Sequence, residues 1–223
     1  MATRQVFIGL TTEGTTDIRF LEKIVERTFE EIAYDCFGDI EPVFRVLNVD
    51  KHGLSFVDYI LRASQQGIDE MGMAILCVHT DADDVTIDGV MNNKMLPAQN
   101  VLLGAESERT CKILVPIIPV QMMESWMLAD KDLLKHEIGT DLTDNELGIN
   151  RNPESIADPK SVIEEAIRIS RRNVVKRRRR DLKIGDIYMA VGQKVAIDKL
   201  LLLPSYQHFQ NEVRNAYRKL HLL

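Results

Sequence analysis

Four short apolar runs, rich in β-branched residues, alternate along this chain with longer segments in which apolar residues recur at helical spacing. Short apolar runs separated by helical segments are typical of strands in a mainly parallel sheet with helices on its faces. The sequence therefore predicts an α/β fold with a mostly parallel sheet flanked by helices. The predicted strands lie at about 5–10, 42–49, 73–79 and 112–120.

The segments between these strands indicate the helices. A helix is predicted from Asp17 onward, and a second amphipathic helix is predicted for residues 55–66. The segment 85–110 is ambiguous, and one or two short helices are expected there. A further helix is predicted to begin within 122–130, directly after the fourth strand.

A polar segment divides the chain. Residues 140–159 are rich in Asp, Asn, Gly and Pro, which is typical of a connector. A chain of 223 residues suits one domain, or one domain with a small appendage. We therefore expect an α/β domain at 1–140 and a helical, basic C-terminal extension at 141–223 that packs on it.

The net charge of −6 hides an asymmetry between the two ends of the chain. Residues 1–150 hold 12 Lys/Arg and 26 Asp/Glu, whereas residues 151–223 hold 16 Lys/Arg and 8 Asp/Glu. This division suits a protein that holds a cation at one end and a phosphate backbone at the other. Two solvated faces of a single domain would give the same composition.

The basic end contains a run of charge that is too dense to bury, with seven basic residues among residues 171–180. Such a run predicts contact with a nucleic-acid backbone, or else a solvated loop. Aromatic residues are not interleaved with it, which favours backbone contact over sequence reading. The candidate nucleic-acid-binding residues are Lys160, Arg177, Arg178, Arg179, Arg180 and Lys194.

The sequence also predicts the compartment. No apolar run reaches the roughly 18 residues that a membrane span needs, and the N-terminus leads into a predicted strand rather than a signal peptide. Cys36, Cys77 and Cys111 are isolated, without a CxxC pair, which fits a reducing environment and gives no zinc-ligand spacing. We therefore expect a cytoplasmic protein without membrane contact.

Acidic residues follow three of the four predicted strands. Glu13 follows the first strand, Asp81 and Asp83 follow the third, and Glu124 follows the fourth. Open α/β sheets place their sites beyond the carboxyl ends of the strands, so these carboxylates should share one edge. Clustered carboxylates repel one another unless a cation neutralises them, and oxygen ligands suit Mg²⁺ or Mn²⁺. We therefore predict that these four residues bind the metal.

Metal-bound carboxylates are suited to phosphodiester hydrolysis, because the cation neutralises the phosphate and stabilises the attacking and leaving oxygens. Asp81 and Asp83, at i and i+2 of an extended segment, point the same way and can share one ion. Glu13 would complete the coordination or act as a general acid or base, and Gly14 would let the backbone turn sharply. The predicted catalytic residues are therefore Glu13, Asp81 and Asp83.

Each of these residues also has a plain structural interpretation. Glu13 could cap the following helix, and Asp81 and Asp83 could be ordinary turn residues. Glu124 could simply occupy the first turn of a helix, where the helix dipole favours an acidic side chain. For Trp126, the only tryptophan, the alternatives are core packing against the sheet and stacking on a base.

The order of these short motifs resembles a Toprim-like family of uncharacterised prokaryotic proteins, similar to the Toprim nuclease domain of OLD-type defence proteins. The resemblance spans nearly the whole chain and implies a Rossmann-like sheet, metal-dependent nuclease activity and a role in antiphage defence. Asp17 stands where Glu is usual, and the segment 84–89 replaces the compact DxDxxG of topoisomerases and primases. The motifs that carry the resemblance are Glu13-Gly14-Thr15-Thr16-Asp17, Asp81-Ala82-Asp83, Glu124-Ser125-Trp126 and Pro159-Lys160.

Three functions are compatible with the sequence. The leading hypothesis is a Mg²⁺- or Mn²⁺-dependent nuclease acting on DNA or RNA. The second is a non-catalytic nucleic-acid-binding or regulatory subunit beside an ATPase. The ATPase would have to be a separate protein, because this sequence contains no GxxxxGK[ST] motif. The third is metal-dependent phosphotransfer on a small nucleotide, which would survive removal of the basic run at 176–180.

Overall fold

The computed structural model describes residues 3–106, 108–172 and 182–223. Its centre is a four-stranded, fully parallel sheet with the strand order β2-β1-β3-β4, which confirms the predicted α/β class. The strands are β1 (Arg4–Thr11), β2 (Ile40–Val46), β3 (Ile75–His79) and β4 (Leu114–Ile117).

Eleven α-helical segments surround the sheet within the described residues, together with one π-helical turn, Met91–Met95, and one 3₁₀ turn, Pro153–Ser155. Those of the N-terminal half are α1 (Ile18–Ala33), α2 (Phe56–Met71), α3 (Asp88–Val90), α4 (Leu96–Gly104), α5 (Glu124–Met127) and α6 (Lys131–Ile138). Those that follow are α7 (Asp144–Leu147), α8 (Pro159–Ser170), α9 (Ile184–Lys194), α10 (Ile197–Leu200) and α11 (Pro204–Lys219).

Three segments differ from the sequence-based expectations. Strand β2 begins and ends earlier than predicted, because its pairing with β1 runs from Ile40 to Val46. The ambiguous segment 85–110 forms α3, the π-helical turn and α4. The expected connector at 140–159 is partly helical, because Thr143 and Glu146 form a reciprocal capping box that starts α7.

Strands β3 and β4 are buried on both faces of the sheet, since all their residues are buried and successive side chains of a strand point to opposite sides. In β3, Ile75 and Cys77 belong to the apolar cluster that contains α1 and the C-terminal helices. The side chains of Leu76 and Val78 join the second cluster, which contains α2 and α4. Burial on both faces explains why β4 and most of β3 are continuously apolar, whereas the edge strand β2 carries exposed Glu41 and Arg45.

The C-terminal helices share the core of the sheet domain. Helix α9 crosses α1 so closely that a Cβ added at Gly192 would lie 2.3 Å from the carbonyl oxygen of Phe20. Trp126 is fully buried, packs against Tyr206 and Phe209 of α11, and donates from Nε1 to Oγ of Ser205 at 2.7 Å. Full burial of this ring shows that Trp126 is a core residue and excludes the stacking alternative in this conformation.

Among the described residues, no helix combines the length and the apolar character that crossing a membrane requires.

Candidate functional site

The strand order creates a crevice at the carboxyl edge of the sheet. Strand β1 has β2 on one side and β3 on the other, and α1 and α2 pack on opposite faces. This is the topological switch point at which open α/β sheets bind ligands. Thr11 at the end of β1 pairs with Val78 of β3, so the loops that begin with Thr12 and Thr80 flank the same crevice.

Glu13 is held at this crevice by contacts to both its side chain and its backbone. Thr80 donates from Oγ1 to Oε2 of Glu13 at 2.6 Å, and Lys94 donates from Nζ to the same Thr80 hydroxyl at 3.1 Å. Lys51 donates from Nζ to the carbonyl of Thr12 and, at 2.6 Å, to the carbonyl of Glu13. These contacts fix one carboxylate oxygen of Glu13 and leave Oε1 without a hydrogen bond to the described residues.

Gly14 and Asp17 form a tight turn between Glu13 and helix α1. The amide of Gly14 donates to Oδ2 of Asp17 at 2.8 Å, and a Cβ at Gly14 would lie 2.9 Å from that oxygen. Gly14 does not adopt the left-handed backbone conformation. Gly14 therefore lies in the bend that the sequence suggested, and a larger residue there would crowd the Asp17 carboxylate.

His79 joins the acidic loops that follow β1 and β3. Its ring is buried, with Nε2 3.2 Å from Oδ1 of Asp81 and Nδ1 3.5 Å from Oδ2 of Asp17. The Nδ1 atom lacks hydrogen-bond geometry to any described residue. In the tautomer protonated at Nε2, the ring donates to Asp81 and orients its carboxylate.

Asp81 is further oriented by the loop after β4. The amide of Met123, next to Glu124, donates to Oδ1 of Asp81 at 2.8 Å. Together, Met123 and His79 occupy Oδ1 and leave Oδ2 without a hydrogen bond to the part of the chain that the structure describes. This arrangement parallels that of Glu13, in which one carboxylate oxygen anchors the side chain and the other is available to a ligand.

Asp83 lies in a strained loop two residues further on. Its φ of 51° is left-handed, as is the φ of 60° at Gln121 in the loop after β4. The amide of Asp83 donates to the carbonyl of Gln121 at 2.9 Å, and the amide of Gln121 donates to the carbonyl of Asp84 at 2.9 Å. Left-handed backbone at a non-glycine residue costs on the order of 1–3 kcal/mol and clusters at functional sites. The two backbone hydrogen bonds hold the loops after β3 and β4 together. The side chain of Asp83 is exposed.

Glu124 is buried in the first turn of α5, where its Oε1 accepts a hydrogen bond from the Tyr188 hydroxyl of α9 at 2.6 Å. Burial raises the pKa of the Glu124 carboxyl above its ordinary value. The Tyr188 hydrogen bond opposes this shift, as does the positive charge of Lys160, whereas the negative charge of Asp81 adds to it. Glu124 is therefore electrostatically coupled to the acidic edge, although its hydrogen-bond partner comes from the C-terminal helices.

The raised pKa of Glu124 predicts a pH-dependent effect of Glu124→Gln. A carboxyl whose folded pKa lies above its unfolded pKa stabilises the fold fully at low pH, and that contribution is lost as pH rises through the folded pKa. The Gln oxygen can still accept from Tyr188. We therefore expect the variant to gain stability relative to wild type as the pH rises from about 4 to about 8. Urea unfolding in the presence of a chelator measures this difference.

The control for that experiment is Glu31→Gln, which removes the same charge from an exposed position of α1. If the free-energy difference between wild type and Glu124→Gln stays constant across the pH range, or falls as pH rises, the electrostatic account of Glu124 is wrong.

The predicted metal ligands lie in loops at one edge of the sheet, but the contacts between these loops do not assemble their carboxylates into one group within the described residues. Glu13, Asp81 and Glu124 are linked through Thr80, His79 and the Met123 amide, whereas Asp83 is tied to the same loops only through its backbone. Across residues 3–106, 108–172 and 182–223, no three His, Cys, Asp or Glu side chains already form a metal-binding group. The oxygen donors suit Mg²⁺ or Mn²⁺ chemically.

The candidate nucleic-acid-binding residues differ in their surroundings. Lys160 is exposed at the start of α8, and its positive charge lowers the pKa of the Glu124 carboxyl, opposing the effect of burial. Lys194 ends α9 and donates from Nζ to Oε1 of Glu137 at 2.8 Å, so its charge is already paired. The arginines Arg177, Arg178, Arg179 and Arg180 lie outside the described residues.

Sequence reasoning missed three residues that shape the site: Lys51, Lys94 and Tyr188. Lys51 follows β2 at the same sheet edge, so the argument applied to the acidic residues would have found it. Lys94 lies in the π-helical turn, which has no signature in the sequence. Tyr188 is 64 positions from Glu124, and only the packing of α9 brings the two together.

Comparisons with models of known families, with curated proteins and with solved structures give no match for this chain. The fold and the site therefore define a class but no family: a parallel α/β protein with an acidic carboxyl edge at the switch point of its sheet.

Proposed function

We propose that this protein is a Mg²⁺- or Mn²⁺-dependent nuclease of the Toprim-like type, which hydrolyses phosphodiester bonds in DNA or RNA. The observation that carries the proposal is the arrangement of Glu13 and Asp81 at the switch point. Each carboxylate is anchored through one oxygen, and its second oxygen makes no hydrogen bond to the described residues. The motif resemblance adds a role in antiphage defence to this proposal, and the isolated cysteines add a cytoplasmic location.

The proposed roles follow from these contacts. A divalent cation, when bound, would neutralise the scissile phosphate and favour ionisation of a water molecule. Asp81 and Asp83 hold the cation, with Asp81 oriented by His79. Glu13 binds the cation or exchanges a proton with the attacking water through Oε1, since Thr80 fixes Oε2. Glu124, close to Asp81, supports the same cation or holds a second one.

The basic residues have a separate role in this proposal. Lys160, whose charge acts on the Glu124 carboxyl, contacts the phosphate backbone of the substrate near the acidic edge. The basic run that includes Arg177–Arg180 extends that contact along the polymer. Because backbone contacts release counterions, substrate binding should weaken steeply with salt.

The direct test is a cleavage assay on single- and double-stranded DNA and RNA, with Mg²⁺, Mn²⁺ or EDTA. Cleavage that requires the divalent cation supports the proposal. Preparations of the Asp81→Asn/Asp83→Asn protein, purified in parallel, control for contaminating nucleases. Equal cleavage by both preparations, or cleavage that persists in EDTA, contradicts it.

A second candidate is a non-catalytic nucleic-acid-binding or regulatory subunit that partners an ATPase. The specific observation in its favour is that no complete group of three metal-binding side chains is preassembled among the described residues. In that case the hydrogen bonds around His79 simply stabilise an acidic loop. This function predicts salt-sensitive nucleic-acid binding that is unaffected by EDTA, without cleavage of any of the four substrates.

A further inference from the structure

A cavity of about 150 Å³ opens next to Glu13, on the α2 side of the crevice. It lies between the loop after β1, the start of α2, the end of β3 and the π-helical turn. Two aromatic rings line it together with polar and charged side chains, and its volume suits a phosphate group rather than a whole drug-sized ligand, for which pockets of roughly 300–1,000 Å³ are usual. The residues that line it are Glu13, Lys51, Leu54, Ser55, Phe56, Tyr59, His79, Thr80 and Lys94.

Two lysines converge on this cavity from different elements. The Nζ atom of Lys51 lies 4.8 Å from the ring centroid of Tyr59, and that of Lys94 lies 5.8 Å from the ring centroid of Phe56. Neither lysine forms an ion pair with a described carboxylate within 4.0 Å. Both ammonium groups are therefore held in place by neutral partners and aromatic rings.

Each lysine retains donors for a ligand. An ammonium group has three donors. Lys51 gives two to the carbonyls of Thr12 and Glu13, and Lys94 gives one to the hydroxyl of Thr80. The pocket thus offers about three unused N–H donors from two fixed positive charges, which is the chemistry that recognises a phosphate group.

Two backbone features strengthen the positive character of the pocket. Helix α2 begins at Phe56 with Ser55 as its N-cap, so the positive end of a 16-residue helix faces the cavity wall. Lys94 lies in the π-helical turn Met91–Met95, an uncommon geometry that occurs often at functional sites. Glu13 is the one carboxylate among the lining residues, and its Oε2 already accepts from Thr80.

We propose that this pocket binds a phosphate group of a nucleotide, between the ammonium groups of Lys51 and Lys94, with the attached sugar or base against Tyr59 and Phe56. The proposal deepens the nuclease function and rests on it for one point: the bound phosphate belongs to the nucleotide next to the scissile bond. The pocket would thereby position the polymer so that the following phosphodiester faces Glu13 and Asp81.

The test uses a mononucleotide, dTMP, and inorganic phosphate as probes, titrated calorimetrically into the full chain in EDTA. We expect dTMP to bind more tightly than phosphate, because only dTMP reaches the aromatic rings. Lys94→Met should weaken dTMP binding about tenfold or more, since a charge-assisted hydrogen bond is lost. Lys51→Met should do the same, whereas Lys94→Arg, which keeps the charge, should retain most of the affinity.

Lys131→Met is the matched control, because Lys131 is half-buried at the start of α6, as Lys94 is in its own turn, and does not line the cavity. Thermal unfolding of each variant separates a loss of binding from a loss of folding, and Lys94→Met is the safer variant because Lys51 also supports the loop after β1. Equal dTMP affinity in folded Lys94→Met and wild type, or no dTMP binding by wild type, overturns the proposal.

The two proposals fail in different ways. If wild type cleaves nucleic acid while the lysine variants bind dTMP and cleave normally, the pocket assignment is wrong and the nuclease function stands. If dTMP binds through Lys51 and Lys94 but no substrate is cleaved with any cation, the pocket is real and the nuclease function is wrong.

Discussion

Replacing Asp83 or Asp81 with Asn is expected to reduce divalent-dependent cleavage about 100-fold or more, because each change removes a charge that the proposed site places on the cation. Asn is a conservative probe at both positions. At Asp81 the amide oxygen can still accept from Met123. At Asp83 the backbone is left-handed, with φ of 51°, a conformation that Asn tolerates well. The initial rate of cleavage with Mn²⁺ measures the effect.

The matched control for these variants is Asp88→Asn. Asp88 is exposed in α3, downstream of the same loop, and its replacement changes the net charge by the same amount. We expect this variant to cleave at the wild-type rate. An Asp83→Asn protein as active as Asp88→Asn would remove Asp83 from the site, and full activity in Asp81→Asn as well would refute the acidic edge as the catalytic centre.

Gly192→Ala is expected to destabilise the protein by about 3 kcal/mol or more, near the upper end of overpacking costs. The added Cβ would lie 2.3 Å from the Phe20 carbonyl oxygen and 2.9 Å from the Phe20 Cα. Because the obstacle is backbone rather than the end of a flexible side chain, α9 would have to move away from α1. The free energy of unfolding in urea measures the loss, and roughly 2–4 °C of melting temperature should accompany each kcal/mol.

Gly185→Ala in the same helix is the control. A Cβ at Gly185 meets no other atom within 4 Å, and its backbone is not left-handed. Alanine has the higher helix propensity, so this change should be neutral or stabilising by up to about 1 kcal/mol. If the two alanine variants have the same stability, α9 does not pack against α1 in this way. Movement of α9 would also displace Tyr188 from Glu124, which links this contact to the site.

The sheet and its acidic edge could be predicted from the sequence because their signals are local. Strands β1, β3 and β4 each contain a continuous apolar run, and a polar residue that follows such a run emerges at the carboxyl end of the strand. That reasoning correctly placed Glu13 and Asp81 beside the same crevice. It could not order the strands, and the order β2-β1-β3-β4 is what makes the edge between β1 and β3 a switch point.

The remaining features depend on contacts between distant segments. The hydrogen bond to Glu124 comes from Tyr188 of α9, a helix that packs against α1, and neither contact is visible in the local sequence. Lys94 lies in a π-helical turn, whose backbone hydrogen bonds join residues five apart instead of four. The periodicity of apolar residues in the sequence does not reveal such a turn. Helix α7 lies within the segment 140–159, which the sequence predicted to be a connector. A single capping box is enough to stabilise this one helical turn.

The most direct test of the central claim is calorimetric titration of Mn²⁺ into wild-type protein and into the Asp81→Asn/Asp83→Asn double variant, each with nucleic acid present in a non-cleavable form. The account predicts binding to wild type that is lost, or weakened at least about 100-fold, in the folded double variant. Equal Mn²⁺ binding by the two proteins, or none by wild type even with the substrate bound, would contradict it.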